Sequence, residues 1–390
     1  MTTWKLNPAQ VLGAASLGVI LGIWLKRKIP VLDRLNIPTP IVGGMVYAIL
    51  ALALRDRFVN LDVDTQLRDL LMIAFMTTVG LSARYRLLRE GGKKVVLLLA
   101  ISSLGAVLQN VLGMGLAKAM SIDPRLGILA GSVALTGGPG TAVAFGSTFE
   151  KMGVVGAEAL AMGSATFGIA VAGLLGGYIG GWLIRRNKLK PAASVAIAAK
   201  AEEAESGSFF TTILMIGIAM GVGNVLSGAM QERGLILPSY IGALIVGAVI
   251  RNLDDYFQFA KLSQTDVNHA GRIALNLFIV MALIALKLWE LAHLALPMIA
   301  ILTAQVALCI LMCLTMAYWV MGRNYEAAVE TAGFCGYMLG ITANAVACME
   351  ELVEKYGPAP EAFLVVPIVG AFLIDFANSL IITTMANIVK

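Results

Sequence analysis

Residues 127–151 read GILAGSVALTGGPGTAVAFGSTFEK, and the central run Thr136-Gly137-Gly138-Pro139-Gly140-Thr141 decides the fold. Gly-Gly-Pro-Gly cannot continue a helix: Pro139 lacks an N–H and disfavours helix at Gly138, while the glycines tolerate positive φ. The flanks are apolar, so the chain opens at membrane depth, which is tolerated only where backbone is buried in protein or lines a cavity. Opening frees backbone amides at the start of a half-helix near Gly140 and Thr141, where the dipole supplies about half a positive charge. An anion can dock there. The plainer alternative is a Gly/Pro kink in an ordinary helix.

A second segment of the same kind weighs against that alternative. Residues 327–351, AAVETAGFCGYMLGITANAVACMEE, carry Gly333, Gly336 and Gly340, then Thr342 and Asn344. The two segments belong to halves that resemble one another at a nearly constant shift. Ile37-Pro38-Thr39 recurs as Leu237-Pro238-Ser239 at an offset of 200, and Gly140-Thr141-Ala142 falls on Ile341-Thr342-Ala343 at 201. Glu158-Ala159-Leu160 falls on Glu361-Ala362-Phe363 at 203.

The rest of the chain is a membrane protein. Of 390 residues, 58% are apolar and 14% charged, with a mean hydropathy of +0.83, against roughly 45–50% and 25% in soluble domains. Apolar runs fall near 9–25, 37–54, 70–83, 95–117, 157–184, 209–227, 235–250, 273–286, 294–320 and 363–389. They leave no room for a soluble catalytic domain, so neither an enzyme nor a bound cofactor is expected. The 41 glycines fit close-packed transmembrane helices and argue against a β-barrel. The net charge of +5 sits in short clusters between runs, which read as topology signals rather than as a nucleic-acid surface. The N-terminal run is expected to be a retained first helix, because its positive charges mainly follow it and no small-residue cleavage site does.

Counting basic residues sets the topology. Twelve full spans would place the cluster Arg185, Arg186, Lys188, Lys190, Lys200 opposite those at 26–34 and 84–94, against the positive-inside bias. If the two broken segments are instead re-entrant loops, ten spans remain and 19 of the 29 Lys and Arg face the cytoplasm, with both termini outside. The expected fold is an all-α polytopic membrane protein of two inverted five-helix repeats. Residues 1–184 form the first, with its loop at about 126–149, and residues 209–390 the second, with its loop at about 325–349. Residues 185–208 form a polar cytoplasmic linker. Inverted repeats with interrupted elements mark secondary transporters that bind substrate at the repeat interface.

Asp375 lies mid-way along the last run, with Asn378 on the same helix face. A carboxylate there is costly unless it meets a partner or a cavity, and carboxylate, amide oxygen and opened carbonyls suit Na⁺; a structural hydrogen bond is the alternative. Gln109, Asn110 and Gln305 read first as polar contacts between helices and second as ligands. Gly18/Gly22 and Gly176/Gly180 are close-packing faces. Glu330 reads equally as a rim carboxylate. Cys309, Cys313, Cys335 and Cys348 show no metal-ligand spacing and read as packing residues, so no transition metal is expected. Asp254-Asp255 suggests a prenyl transferase only faintly, lacking a further Asp at the usual spacing, and reads as a solvated turn.

The stretches 37–44 (IPTPIVGG), 79–92 (VGLSARYRLLREGG), 135–142 (LTGGPGTA), 332–344 (AGFCGYMLGITAN) and 362–378 (AFLVVPIVGAFLIDFAN) resemble the bacterial glutamate:sodium symporter family. The resemblance runs in order through nearly the whole chain. It implies sodium-coupled glutamate uptake across the inner membrane by an elevator motion, and a homodimer among membrane lipid. By position it carries the substrate motifs onto Thr136, Gly138, Gly140 and Thr141, and onto Gly340, Thr342 and Asn344. Na⁺, the one metal expected, falls to Asp375 and Asn378 with Asn110. The family often has His at Pro139 and a Thr-Pro step at Thr342-Ala343. A proton-coupled or exchange transporter of another small organic anion is the rival on the same fold.

Overall fold

A computed structural model describes residues 2–34, 37–55, 59–86, 92–191, 208–232 and 239–389. Most of the linker and the Leu237-Pro238 step of the repeat lie outside the described residues. Helix α1 (Pro8–Lys28) is stopped at both ends by local chemistry. Asn7 accepts from the Gln10 N–H while its own N–H is taken by the Gln10 side chain, both at 3.0 Å. Lys26, Arg27 and Lys28 sit where the helix C-terminus favours positive charge. There follow α2 (Thr39–Leu54), α3 (Gln66–Ser82), α4 (Gly92–Ala119), α5 (Pro124–Ile128), α6 (Gly138–Lys151) and α7 (Ala157–Arg186). The second half contains α8 (Phe209–Glu232), α9 (Ser239–Phe257), α10 (Gln264–Ile284), α11 (Ala295–Met312), α12 (Tyr325–Leu339), α13 (Thr342–Tyr356), α14 (Pro360–Ile368) and α15 (Ile374–Ile388).

Among the described residues seven helical stretches are long and apolar enough to cross a bilayer: α1, α4, α7, α8, α10, α11 continued to Val320, and α14 with α15. The chain is a multi-pass membrane protein. The three other expected spans are α2, α3 and α9. At 16 residues, α2 reaches only about 24 Å of a core about 30 Å thick, and α9 carries Arg251, Asp254 and Asp255 near its end.

The helices sort into two bundles, and both halves of the chain contribute to each. One bundle packs α1–α3 against α8–α10, through contacts of α3 with α9 and α10 and of α2 with α10. The other packs α4–α7 against α11–α15, with α7 along α12 and α13 and α4 along α11 and α15. Close approach depends on glycine. Gly22 and Gly43 fit backbone to backbone between α1 and α2. A Cβ at Gly176 would lie 2.8 Å from the Ala332 carbonyl, and one at Gly180 would lie 2.9 Å from the Ala332 Cβ. Both glycine faces noted in the sequence therefore serve contacts within the chain.

The helical fold carries one short addition, and one expectation is corrected. β1 (Thr2–Leu6) pairs in parallel with β2 (Val59–Val63), from Thr2 opposite Val59 to Leu6 opposite Val63. The α1–α2 hairpin returns the chain to its starting end, and Leu6 and Val63 then seal an apolar patch with Val11, Met281 and Ile284. The Asp254-Asp255 pair is no solvated turn. Asp254 is 2% exposed and accepts from the N–H groups of Ala260, Lys261 and Leu262 at 2.7–3.0 Å. Asp255 holds the Arg84 guanidinium at 2.9 and 3.0 Å. A carboxylate fully occupied by backbone donors and arginine is a structural anchor.

Candidate functional site

Both broken segments open as their glycines dictate. After α5 the chain widens through Leu129–Val133, with Gly131 outside helical geometry at φ −97° and ψ −130°. It then turns, and α6 starts at Gly138 with φ +65°, a conformation that glycine reaches without steric cost, directly ahead of Pro139. The second segment breaks between Leu339 and Thr342, where Ile341 is extended at φ −132° and ψ 165°.

The breaks abut. A Cβ at Gly138 would lie 3.0 Å from Ile341 Cγ2 and 3.7 Å from the Gly340 carbonyl oxygen, so the N-terminal ends of α6 and α13 meet. Gln109 of α4 ties them together: its Oε1 accepts from the Thr136 hydroxyl at 2.7 Å, and its Nε2 donates to the Met338 carbonyl at 2.9 Å. Gln305 of α11 donates to the Gln109 carbonyl at 2.7 Å.

Beside this junction sits a hub that sequence reading missed, Ser132. Its N–H donates to Asn110 Oδ1 at 3.0 Å and its carbonyl accepts from Asn378 Nδ2 at 2.9 Å. Thus Asn110 and Asn378, 268 residues apart in the sequence, meet on one backbone unit. Three buried polar atoms of this hub have no partner among the described residues: Asn110 Nδ2, Ser132 Oγ and Asn378 Oδ1. Buried polar groups are rarely left so. The one sequence signal for Ser132 was a hydroxyl inside an apolar stretch next to the Gly-rich break.

The other predicted residues divide. Thr141 is buried in the first turn of α6, and its hydroxyl makes no hydrogen bond among the described residues. Gly140 faces the other bundle: a Cβ there would lie 2.7 Å from Phe75 and 3.0 Å from Leu275. The Thr342 hydroxyl donates at 2.7 Å to the carbonyl of Gly370, in a wide turn (Val369–Leu373) next to Pro367, which lacks the N–H a regular helix would use. Asn344 is fully buried and donates to the Ile169 carbonyl at 3.0 Å. Asp375, half-buried one turn before Asn378, has no hydrogen bond or ion pair to its carboxylate among the described residues. Glu330 is no rim carboxylate. It is wholly buried and pairs with Lys94 of α4 at 3.2 Å, beside the Lys94–Glu361 contact at 2.6 Å.

Where the bundles meet, at the end carrying β1 and β2, lies a cavity of about 400 Å³ lined in part by Arg55, Arg68, Ser147, Lys151 and Glu158. Arg68, 5% exposed, joins the bundles: from α3 it reaches Ser147 Oγ at 2.9 Å and Glu158 at 3.0 Å.

Two half-helices meeting inside a multi-pass bundle define the class, a membrane transporter built around broken helices. A sequence model of the family described as Sodium/glutamate symporter matches residues 4–358. A sodium/glutamate symporter of Escherichia coli (strain K12) is 38% identical over 97% of this chain and 97% of its own. One from Haemophilus influenzae is 35% identical over 100% and 99%. The chain belongs to the sodium/glutamate symporter family, which is one of transporters rather than enzymes. Among solved structures, a sodium/proton antiporter from Methanocaldococcus jannaschii aligns over 98% of both chains at 14% identity and a TM-score of 0.47.

Proposed function

We propose that the protein carries glutamate into the cell together with Na⁺, across a bacterial inner membrane, by an elevator-type motion. The relatives bearing the name sodium/glutamate symporter align end to end with this chain. The observation that carries the reading is the abutment of the two broken segments at Gly138 and Ile341.

In this reading each half of the chain is an inverted five-helix repeat, with ten spans, both termini outside and the broken segments re-entrant. The substrate's carboxylates dock on the amides that open α6 and α13, around Thr136, Gly138, Gly140 and Thr141 on one side and Gly340, Thr342 and Asn344 on the other. Na⁺ binds beside them. Asn378 Oδ1 and Ser132 Oγ are oxygens with nothing else to hold, and Asp375 adds charge one turn away. Asn110 helps indirectly, since its Oδ1 already accepts the Ser132 N–H. The bundle of α4–α7 and α11–α15 is the moving part, and the other is the scaffold. Their interface is apolar around Gly140, Phe75 and Leu275, and is latched by Arg68 at the cavity end. The exposed apolar side chains of α8, among them Phe210, Val222 and Val225, face lipid or the second subunit of a homodimer.

That Asp375 meets no cationic side chain among the described residues favours one rival, a proton carried in place of Na⁺. Uptake of labelled glutamate, aspartate and dicarboxylates into proteoliposomes tests both. The expected result is glutamate accumulation driven by an inward Na⁺ gradient and abolished by choline. Accumulation driven by a pH gradient in choline would establish the rival.

A further inference from the structure

Cys309 on α11, Cys313 at the start of the wide turn that continues it (Cys313–Ala317), and Cys335 on α12 come together in the moving bundle. Their three sulfur atoms all lie within 4.8 Å of one another, and all three residues are buried. Among the described residues this is the one group of three or more metal-ligating side chains of the His, Cys, Asp and Glu kinds close enough to share an ion. Cys309 and Cys313 share a helix face by their spacing. Cys335, 22 residues further on, joins them only through the packing of α12 on α11, which is why a sequence reading assigns these cysteines to packing alone.

We propose that the triad is a binding site for one soft monovalent cation, Cu⁺ or Ag⁺, which ties α12 to α11 within one bundle. With sulfur separations of at most 4.8 Å, a central ion lies at most about 2.8 Å from each, so a contraction of no more than about 0.5 Å gives a normal metal–sulfur distance near 2.3 Å. Sulfur ligands select soft ions. Zn²⁺ wants a fourth ligand in tetrahedral array, and the cluster offers three.

Charge balance favours a monovalent ion. One thiol gives up its proton to solvent as the ion binds, and the other two ligate as neutral thiols through sulfur lone pairs. The occupied site then carries no net charge, the condition for stability in a low-dielectric interior. Met312 and Met338, sequence neighbours of the triad, reach the side of α4 at Gly105, where a Cβ would lie 3.0 Å and 2.6 Å from their methyl carbons. Tyr337 hydrogen-bonds Ser102 of α4 at 2.6 Å, and the Met338 carbonyl accepts from Gln109, so an ion fixing Cys335 stiffens the helix that leads into the second break.

Silver serves as the probe, on full-length protein in nanodiscs. After removal of loosely held ions by a weak chelator, metal analysis should find one Ag⁺ per chain. Cys335→Ala, and likewise Cys309→Ala, should bind at least tenfold more weakly. Cys348→Ala, a buried cysteine outside the triad, should bind as the parent does. Ag⁺ should raise the unfolding temperature of the parent and of Cys348→Ala only. No retained Ag⁺ in the parent, or equal retention by two folded triad variants, overturns the site.

Discussion

The first and second breaks do the same thing to the backbone and opposite things to the polar atoms around it. At the second, every side chain that sequence reading singled out is engaged: the Thr342 hydroxyl on the Gly370 carbonyl, the Asn344 amide on the Ile169 carbonyl. At the first, Ser132 Oγ, Asn378 Oδ1 and Asn110 Nδ2 are buried without partners among the described residues. An engaged break is a rigid abutment, whereas one with unspent oxygens has capacity for a ligand. The difference teaches that two segments of similar sequence need not share a role, and it is the reason the proposed ion site lies at the first break rather than the second.

Substitutions can break or sharpen that contrast. The largest effect belongs to Gly138→Ala, where a Cβ meets both a left-handed backbone, costing about 1–2 kcal/mol, and the Ile341 side chain at 3.0 Å. Uptake by this variant should fall about 100-fold, the equivalent of roughly 2.8 kcal/mol, and by more than in Gly340→Ala, whose backbone lacks the positive φ. Next comes Asp375→Asn. It keeps shape and removes charge, so the Na⁺ concentration for half-maximal uptake should rise at least about tenfold, or roughly 1.4 kcal/mol. Normal Na⁺ dependence in a folded protein would make Asp375 a structural residue.

Smaller effects separate the breaks. Ser132→Ala removes a hydroxyl that nothing satisfies, so thermal stability should hold or rise while Na⁺ half-saturation rises about threefold, or roughly 0.7 kcal/mol. Thr342→Val should do the reverse: it loses one hydrogen bond, lowering stability by about 1 kcal/mol, with Na⁺ dependence unchanged. If the two variants exchanged these behaviours, the ion would belong to the second break. Gly217→Ala is the neutral reference, because a Cβ there meets nothing within 4 Å. Gly18 could not serve, since a Cβ there would lie 2.6 Å from Val280.

What was legible in the sequence was what local chemistry decides. Gly-Gly-Pro-Gly announces its own break, and Asn110, Gln109 and Asn378 announce themselves as polar groups in apolar runs. The partners were not legible. Arg68 finds Glu158 across 90 residues, and Ser132 looks like any small residue until α4 and α15 close on it. The parallel ribbon depends on α1 and α2 bringing Thr2 and Val59 to one end, a matter of topology rather than of strand propensity. The Asp254-Asp255 pair reads as solvated because acidic pairs usually are; only the fold shows that Asp254 turns inward to three backbone donors.

The central claim is that substrate and ion share the space at the junction of the breaks, and linkage gives it a direct test. If both stabilise one arrangement, each must raise the other's affinity by the same factor. Calorimetric titration of the purified protein with glutamate should therefore show affinity rising at least about tenfold, roughly 1.4 kcal/mol, when Na⁺ replaces choline at constant ionic strength, with the same factor recovered when Na⁺ is titrated with and without glutamate. Equal glutamate affinity in Na⁺ and in choline would contradict a shared site.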